Sequence, residues 1–146
     1  MIDFKKFIFA ISMALSLNSF AEQKSLTLVV LVDGAKPNTG HAIASLFSSS
    51  DNYLSEPLFK KTAPINTEGK TRFSFNDLKS GAYSVSVVYD ENDDGKLNTG
   101  FFGIPSELVG FSNNAKGVFG PPSFNKSSFV LSDSKIITIF LNPVKE

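Results

Sequence analysis

Apolar side chains recur in this chain with a period of two, and outside its N-terminal apolar run no stretch long enough for a helix carries a helical spacing. "GAYSVSVVYD" (81–90) is the clearest case: Tyr83, Val85, Val87 and Tyr89 leave on one face, Ser84 and Ser86 on the other. Such a pattern suits an extended strand with one face against a core, because successive side chains of a strand point to opposite sides. "SLTLVVLVD" alternates Leu26, Leu28, Val30 and Val32, with Val29 and Leu31 behind them. "HAIASLFS" sets Ile43 and Phe47 against Ala42, Ala44 and Leu46, and "TRFSFND" points Phe73 and Phe75 one way. "SSFVLS" and "KIITIFLNP" close the chain, and Pro64 confines "KTAPINTE" to an edge or a bulge. Turn residues separate these runs, as in "DGAKPNTG", "NTEGK", "DLKSG" and "SDS". The expected fold is all-β: a single Ig-like β-sandwich of six or seven strands with Greek-key connections, a small closed barrel being the alternative.

The first residues stand apart from that domain. Lys5 and Lys6 precede the apolar run "FIFAISMALSL", and Ser19 and Ala21 occupy the small-residue positions of a cleavage site. This predicts a cleaved secretory signal peptide over 1–21 and a mature domain over 22–146, periplasmic or secreted. The run is shorter than the roughly 20 residues a membrane-spanning helix needs, so no transmembrane anchor is expected in the mature chain. There is no cysteine, hence no disulfide and no lipid-modified cysteine, and His41 is the sole histidine, which excludes the usual zinc and iron–sulfur sites. Fourteen basic residues balance fourteen acidic ones, which gives no electrostatic reason to expect nucleic acid as a partner.

The segment from about Asp90 to Asn125 breaks the strand pattern. Loops of that length inside a compact domain are usually functional or disordered. Disorder fits poorly with "GFFGIPSELVGFSNNAKGVFGPPSF", whose Phe101, Phe102, Phe111, Phe119 and Phe124 would be costly to leave in water. An ordered lid over one end of the sandwich is expected, pinned by aromatic anchors. At its start, in "YDENDDGKLNTG", Asp90, Asn92, Asp94 and Gly95 match the opening of the calcium-loop pattern D-x-[DN]-x-[DN]-G. Alternate residues of a tight turn can aim oxygens at one hard cation, and the next donors would be the Lys96 carbonyl and Asn98. The place where a helical calcium loop has its bidentate glutamate is Phe101, so a further oxygen must come from elsewhere. If each strand reverses direction, Asp33, Glu68 and His41 arrive at the same pole, which makes Asp33 the first candidate and Glu107 the second. Asx-rich turns also form for backbone reasons alone. The stretch is a turn on either reading, and a weak structural calcium site on one of them.

The same residues carry a resemblance. Asp90–Leu97 (D-x-N-x-D-G-K-L), Phe101–Glu107, Gly110–Ala115 (G-F-S-N-N-A) and Phe119–Phe124 (F-G-P-P-S-F) follow "GHAIASLF" and "FSFNDLKSGAYSVSVVYD". Together these closely resemble the exported bacterial proteins grouped as domain-of-unknown-function family 2141. The resemblance implies a prealbumin-like or carboxypeptidase-regulatory β-sandwich and no established activity. That family often has aspartate where this chain has Asn98, so the calcium set here is weaker by one charge.

Chemistry beyond ion binding has little to work with. Nucleophilic catalysis needs a nucleophile beside a base, and the only imidazole begins a strand. Glu107 with Asp90 or Asp94 is the only plausible carboxylate pair. The expectation is therefore not an enzyme but a non-catalytic binding or interaction module of the cell envelope. Phe102, Glu107, Phe111, Asn113, Asn114 and Phe119 would form its surface for a peptide, glycan or protein. The alternatives are a small carboxylate-dependent hydrolase at 90–107 and a purely structural envelope domain.

Overall fold

The alternating runs form strands that face one another in two sheets. The computed structural model describes residues 23–144, so the signal peptide expected over 1–21 lies outside the described residues. Eight strands follow in order: β1 (Leu26–Asp33), β2 (His41–Phe47), β3 (Phe59–Pro64), β4 (Lys70–Leu78), β5 (Gly81–Asp90), β6 (Val109–Phe111), β7 (Phe129–Leu131) and β8 (Lys135–Phe140). One short helix, α1 (Phe124–Ser127), precedes β7. The first sheet has the order β4-β1-β8 and the second β3-β2-β5-β6, with β7 also paired to β5. The fold is an all-β sandwich, and no helix among the described residues is long and apolar enough to cross a membrane.

The predicted faces meet between the sheets. Leu28, Val30 and Val32 of β1, Phe73 and Phe75 of β4 and Ile139 of β8 pack with Ala42, Ala44 and Leu46 of β2 and Val85, Val87 and Tyr89 of β5. Burying a Val, Leu or Phe side chain is worth about 1.5–3 kcal/mol. β5 is covered on its reverse face as well: Ser84 is fully buried, and its hydroxyl lies 2.7 Å from that of Ser127 in α1. Beside it, Phe47, Tyr53 and Phe124 stack edge to face, with ring centroids 5.3 and 5.7 Å apart.

The long segment after β5 is a strap, not the lid expected over one end. It leaves Asp90 and returns along the edge of β5, where β6 pairs with Ser86–Val88 and β7 with Gly81–Tyr83. One edge lane is thus filled by two three-residue strands with a gap at Val85. Ser112 closes that gap. Its fully buried hydroxyl accepts from the Val85 N–H (2.9 Å) and donates to the Ser127 carbonyl. The next two residues take left-handed backbone angles (φ 60° at Asn113, 47° at Asn114), which asparagine tolerates better than most side chains. Asn113 Nδ2 donates to the Lys126 and Ser128 carbonyls at 3.2 and 2.8 Å. Asn114 clamps the outer edge of β8: its Oδ1 accepts from Phe140 N–H (3.0 Å) and its Nδ2 donates to the Thr138 carbonyl (3.5 Å).

The strap also joins the two sheets at one corner. Val109 and Asn142 exchange both backbone hydrogen bonds, at 3.0 and 2.9 Å. Gly110 permits this approach, because a Cβ there would lie 2.4 Å from Ile139 Cγ2 and 3.0 Å from the Phe140 oxygen.

The aromatic anchors are fewer than expected. Phe124 is an anchor, but Phe101 and Phe119 are 91% and 102% exposed. Each sits in a tight turn projecting from the strap, where no element among the described residues covers it.

An edge strand with unpaired N–H and C=O groups invites pairing with another chain, and Asn114 blocks that here. Asn114→Ala should cost about 1 kcal/mol in urea unfolding. Light scattering should also show stronger concentration-dependent association than for the wild type.

Candidate functional site

β2 and β5 bring the acidic loop and the histidine to one pole, where His41 and Asp90 are direct partners across the ladder. Tyr89 ties the pole further, its hydroxyl donating to the Thr39 carbonyl at 3.0 Å. Burial raises the Tyr89 phenol above its ordinary value, with the neighbouring charges of Glu91 and Asp93 acting in the same direction against a lowering by the Lys36 backbone.

Asp90 is 3% exposed and organises the turn that follows. Its Oδ2 accepts from Gly95 N–H (2.7 Å) and its Oδ1 from Asp94 N–H (3.2 Å). Asp93 and Gly95 both adopt positive φ (58° and 74°), which lets the chain wrap around the Asp90 carboxylate. Space at the Gly95 α-carbon is open, so its backbone angle and not crowding is what favours glycine.

Around this turn the oxygen-bearing side chains form a continuous string. Asn92 Nδ2 donates to Asp94 Oδ2 (3.2 Å), and Asn98 Nδ2 donates to Asn92 Oδ1 (3.4 Å) and to Glu107 Oε1 (3.3 Å). Glu107 Oε2 accepts from Asn98 N–H (3.1 Å), and Asp94 Oδ1 accepts from Lys96 N–H (2.8 Å). The amide of Asn98, the N–H of Lys96 and the amide of Asn92 hold the Asp94 carboxyl below the ordinary aspartate value, with Lys96 charge adding to the effect and slight burial opposing it.

Glu107 reaches the loop because residues 98–106 form a small hairpin. Ser106 N–H donates to the Asn98 carbonyl (2.9 Å), Gly100 N–H to the Ile104 carbonyl (2.7 Å), and a 3₁₀ turn over Phe101–Gly103 makes the tip. Thr39, Glu91, Asn92, Asn98, Ser106 and Glu107 line a shallow open depression beside it.

The predicted site residues do not all meet. Asp90, Asn92, Asp94, Lys96, Asn98 and Glu107 come together at the pole. Asp33 ends β1 in the facing sheet, where its carboxylate lies 3.5 Å from Lys70 Nζ and its carbonyl accepts from Leu141 N–H (2.8 Å), neither contact reaching the loop. Glu107, the second candidate, is the residue that touches the loop. Phe111, Asn113 and Asn114 sit farther along the strap, where both amides are engaged in holding it down, and Phe119 projects beyond them. Phe102 lies in the 3₁₀ turn, its side chain outside the described residues.

Two contacts were missed by the sequence. Asp93 Oδ1 pairs with His41 Nδ1, and Glu91 Oε1 pairs with Lys36 Nζ at 3.4 Å. The signal available was the strand register that sets His41 opposite Asp90.

The donor set is all oxygen, which suits a hard cation such as calcium. Among the described residues no three carboxylate or imidazole side chains already converge as a metal centre. Asn92, Asn98 and the Lys96 carbonyl would have to complete the shell.

Residues 30–138, a span from within β1 to within β8, match a protein family described as "Uncharacterized protein conserved in bacteria (DUF2141)". No curated protein and no solved structure matches the chain.

Proposed function

The chain belongs to the DUF2141 family, and we propose that it is a non-catalytic binding module of the cell envelope, exported on residues 1–21, with a weak structural calcium loop at 90–107. The observation that carries the reading is the string Asp94–Asn92–Asn98–Glu107 around buried Asp90, an oxygen-donor set on a loop whose own N–H groups at Asp94 and Gly95 donate to the Asp90 carboxylate. Asp90, Asn92, Asp94, Asn98, Glu107 and the Lys96 carbonyl would hold the ion. Its role would be to brace the 98–106 hairpin against the turn and stiffen the depression lined by Thr39, Glu91 and Ser106. A prealbumin-like ancestry is part of the same proposal, resting on the motif resemblance.

The non-catalytic part rests on how the polar groups are engaged. Asp90 is buried and accepts from two backbone N–H groups, both oxygens of Glu107 accept from Asn98, and His41 is paired with Asp93. An acid–base pair would need a free carboxyl aimed at a substrate bond.

With neutral amides among the ligands, the dissociation constant should be on the order of 10⁻⁴–10⁻³ M. At ten times that concentration calcium adds roughly 1.4 kcal/mol to stability by linkage. A domain of this size should then melt about 4–6 °C higher in calcium than in chelator. Asp94→Ala should abolish the rise and Glu107→Gln reduce it. Identical wild-type melting curves in the two buffers would remove the calcium loop from the proposal.

A further inference from the structure

We infer that the Val118–Phe119 tip of the strap docks the protein end-on onto an anionic lipid surface. The chain doubles back sharply here: a Cβ on Gly117 would fall 1.7 Å from the Gly120 carbonyl oxygen, and Pro121 and Pro122 stiffen the return. At the crest Phe119 is 102% exposed and Val118 73%. The base of the tip is fixed, with Ser112 and Asn113 on one side bonded to Ser127, Lys126 and Ser128 on the other. This is a held, apolar protrusion and not a groove.

Its shape and charge favour a bilayer over a protein. Two side chains on a crest are far short of the roughly 1,000 Å² that a specific protein interface buries. Insertion into lipid needs no complementary surface: the apolar groups enter the acyl boundary while nearby lysines stay among the headgroups. Residues 108–132 contain Lys116 and Lys126 and no aspartate or glutamate. Phe101, which is 91% exposed, sits in the opposite setting, since 90–107 holds Asp90, Glu91, Asp93, Asp94 and Glu107 against the single base Lys96. Asp51 and Glu56 lie in the turn that packs Tyr53 on Phe124, so the attraction is confined to the tip.

The chain has no tryptophan, so a single introduced indole reports its own surroundings. Phe119→Trp and Phe101→Trp would be compared on residues 22–146, which hold the whole sandwich core but lack the apolar run at 7–17 that would itself bind lipid. The probes are vesicles of phosphatidylglycerol mixed with phosphatidylcholine and vesicles of phosphatidylcholine alone. Emission of the Phe119→Trp variant should shift to the blue with the anionic vesicles only, and emission of the Phe101→Trp variant with neither. Phe119→Ser should weaken co-sedimentation with anionic vesicles about tenfold or more at an unchanged melting temperature, and Lys116→Glu should weaken it too. The proposal is overturned by unshifted emission of Phe119→Trp, by an equal shift on phosphatidylcholine alone, or by undiminished sedimentation of Phe119→Ser. Self-association of the wild type that Phe119→Ser abolishes, with no lipid binding, would assign the crest to a second copy instead.

Discussion

Ser112→Ala should lower the unfolding free energy by about 2–4 kcal/mol, because it strips partners from two buried backbone groups at once. Ser112 Oγ is the acceptor for Val85 N–H and the donor to the Ser127 carbonyl, in a fully buried position between the two short strands that share the edge of β5. No water can replace the hydroxyl without opening the strap. Domains of this kind are stable by only about 5–15 kcal/mol, so the loss is a large fraction of the whole. Chemical denaturation measures it directly. Ser128→Ala is the control: its exposed hydroxyl donates only to the Asn125 carbonyl, at 3.4 Å, and its removal should stay within about 0.5 kcal/mol. An equal effect of the two substitutions would mean that Ser112 does not bridge the gap.

Gly110→Ala should cost about 2–3 kcal/mol by overpacking, although alanine is ordinarily the better residue in a strand. The added carbon would meet Ile139 Cγ2 at 2.4 Å and the Phe140 oxygen at 3.0 Å. Neither atom is the loose end of a long side chain. The isoleucine methyl is fixed at a branched β-carbon in the core, and the oxygen belongs to the β8 backbone. Relief requires β6 to lift away, which breaks the Val109–Asn142 bridge that joins the sheets. A double-mutant cycle with Ile139→Ala identifies the contact. Ile139→Ala alone leaves a cavity and destabilises. Combined with Gly110→Ala it should cost at least about 1 kcal/mol less than the sum, because the new methyl enters the space vacated. Simple additivity would place the strain somewhere else.

Local features of this fold were readable from residue order, and non-local ones were not. β1, β2, β4 and β5 each turn an alternating face to one core, so their apolar spacing identified them. β6 has three residues, too few to show any period, and it exists only because the β5 edge offers it a partner. The task of Ser112 is set by the gap between β6 and β7, which no spacing within G-F-S-N-N-A reveals. The same holds for Asn113 and Asn114: an amide in a turn looks alike whether it faces a ligand or a strand edge. The acidic loop was legible because its donors follow one another along the chain. The return of Glu107 to this loop was not, since whether Glu107 or Asp33 arrives there depends on a hairpin that brings Glu107 back to Asn98. Composition likewise could not separate Phe124, which packs on Tyr53, from Phe119, which stands in water.

Amide hydrogen exchange at Val85 and Phe140 tests most directly whether the segment after β5 is a fastened strap. In each case the acceptor of the N–H is a strap side chain, Ser112 Oγ or Asn114 Oδ1. Protection at Val85 approaching that of the β1 core amides, with Phe140 slowed well below its free-peptide rate and released by Asn114→Ala, is the predicted result. Free-peptide exchange rates at both positions would contradict it.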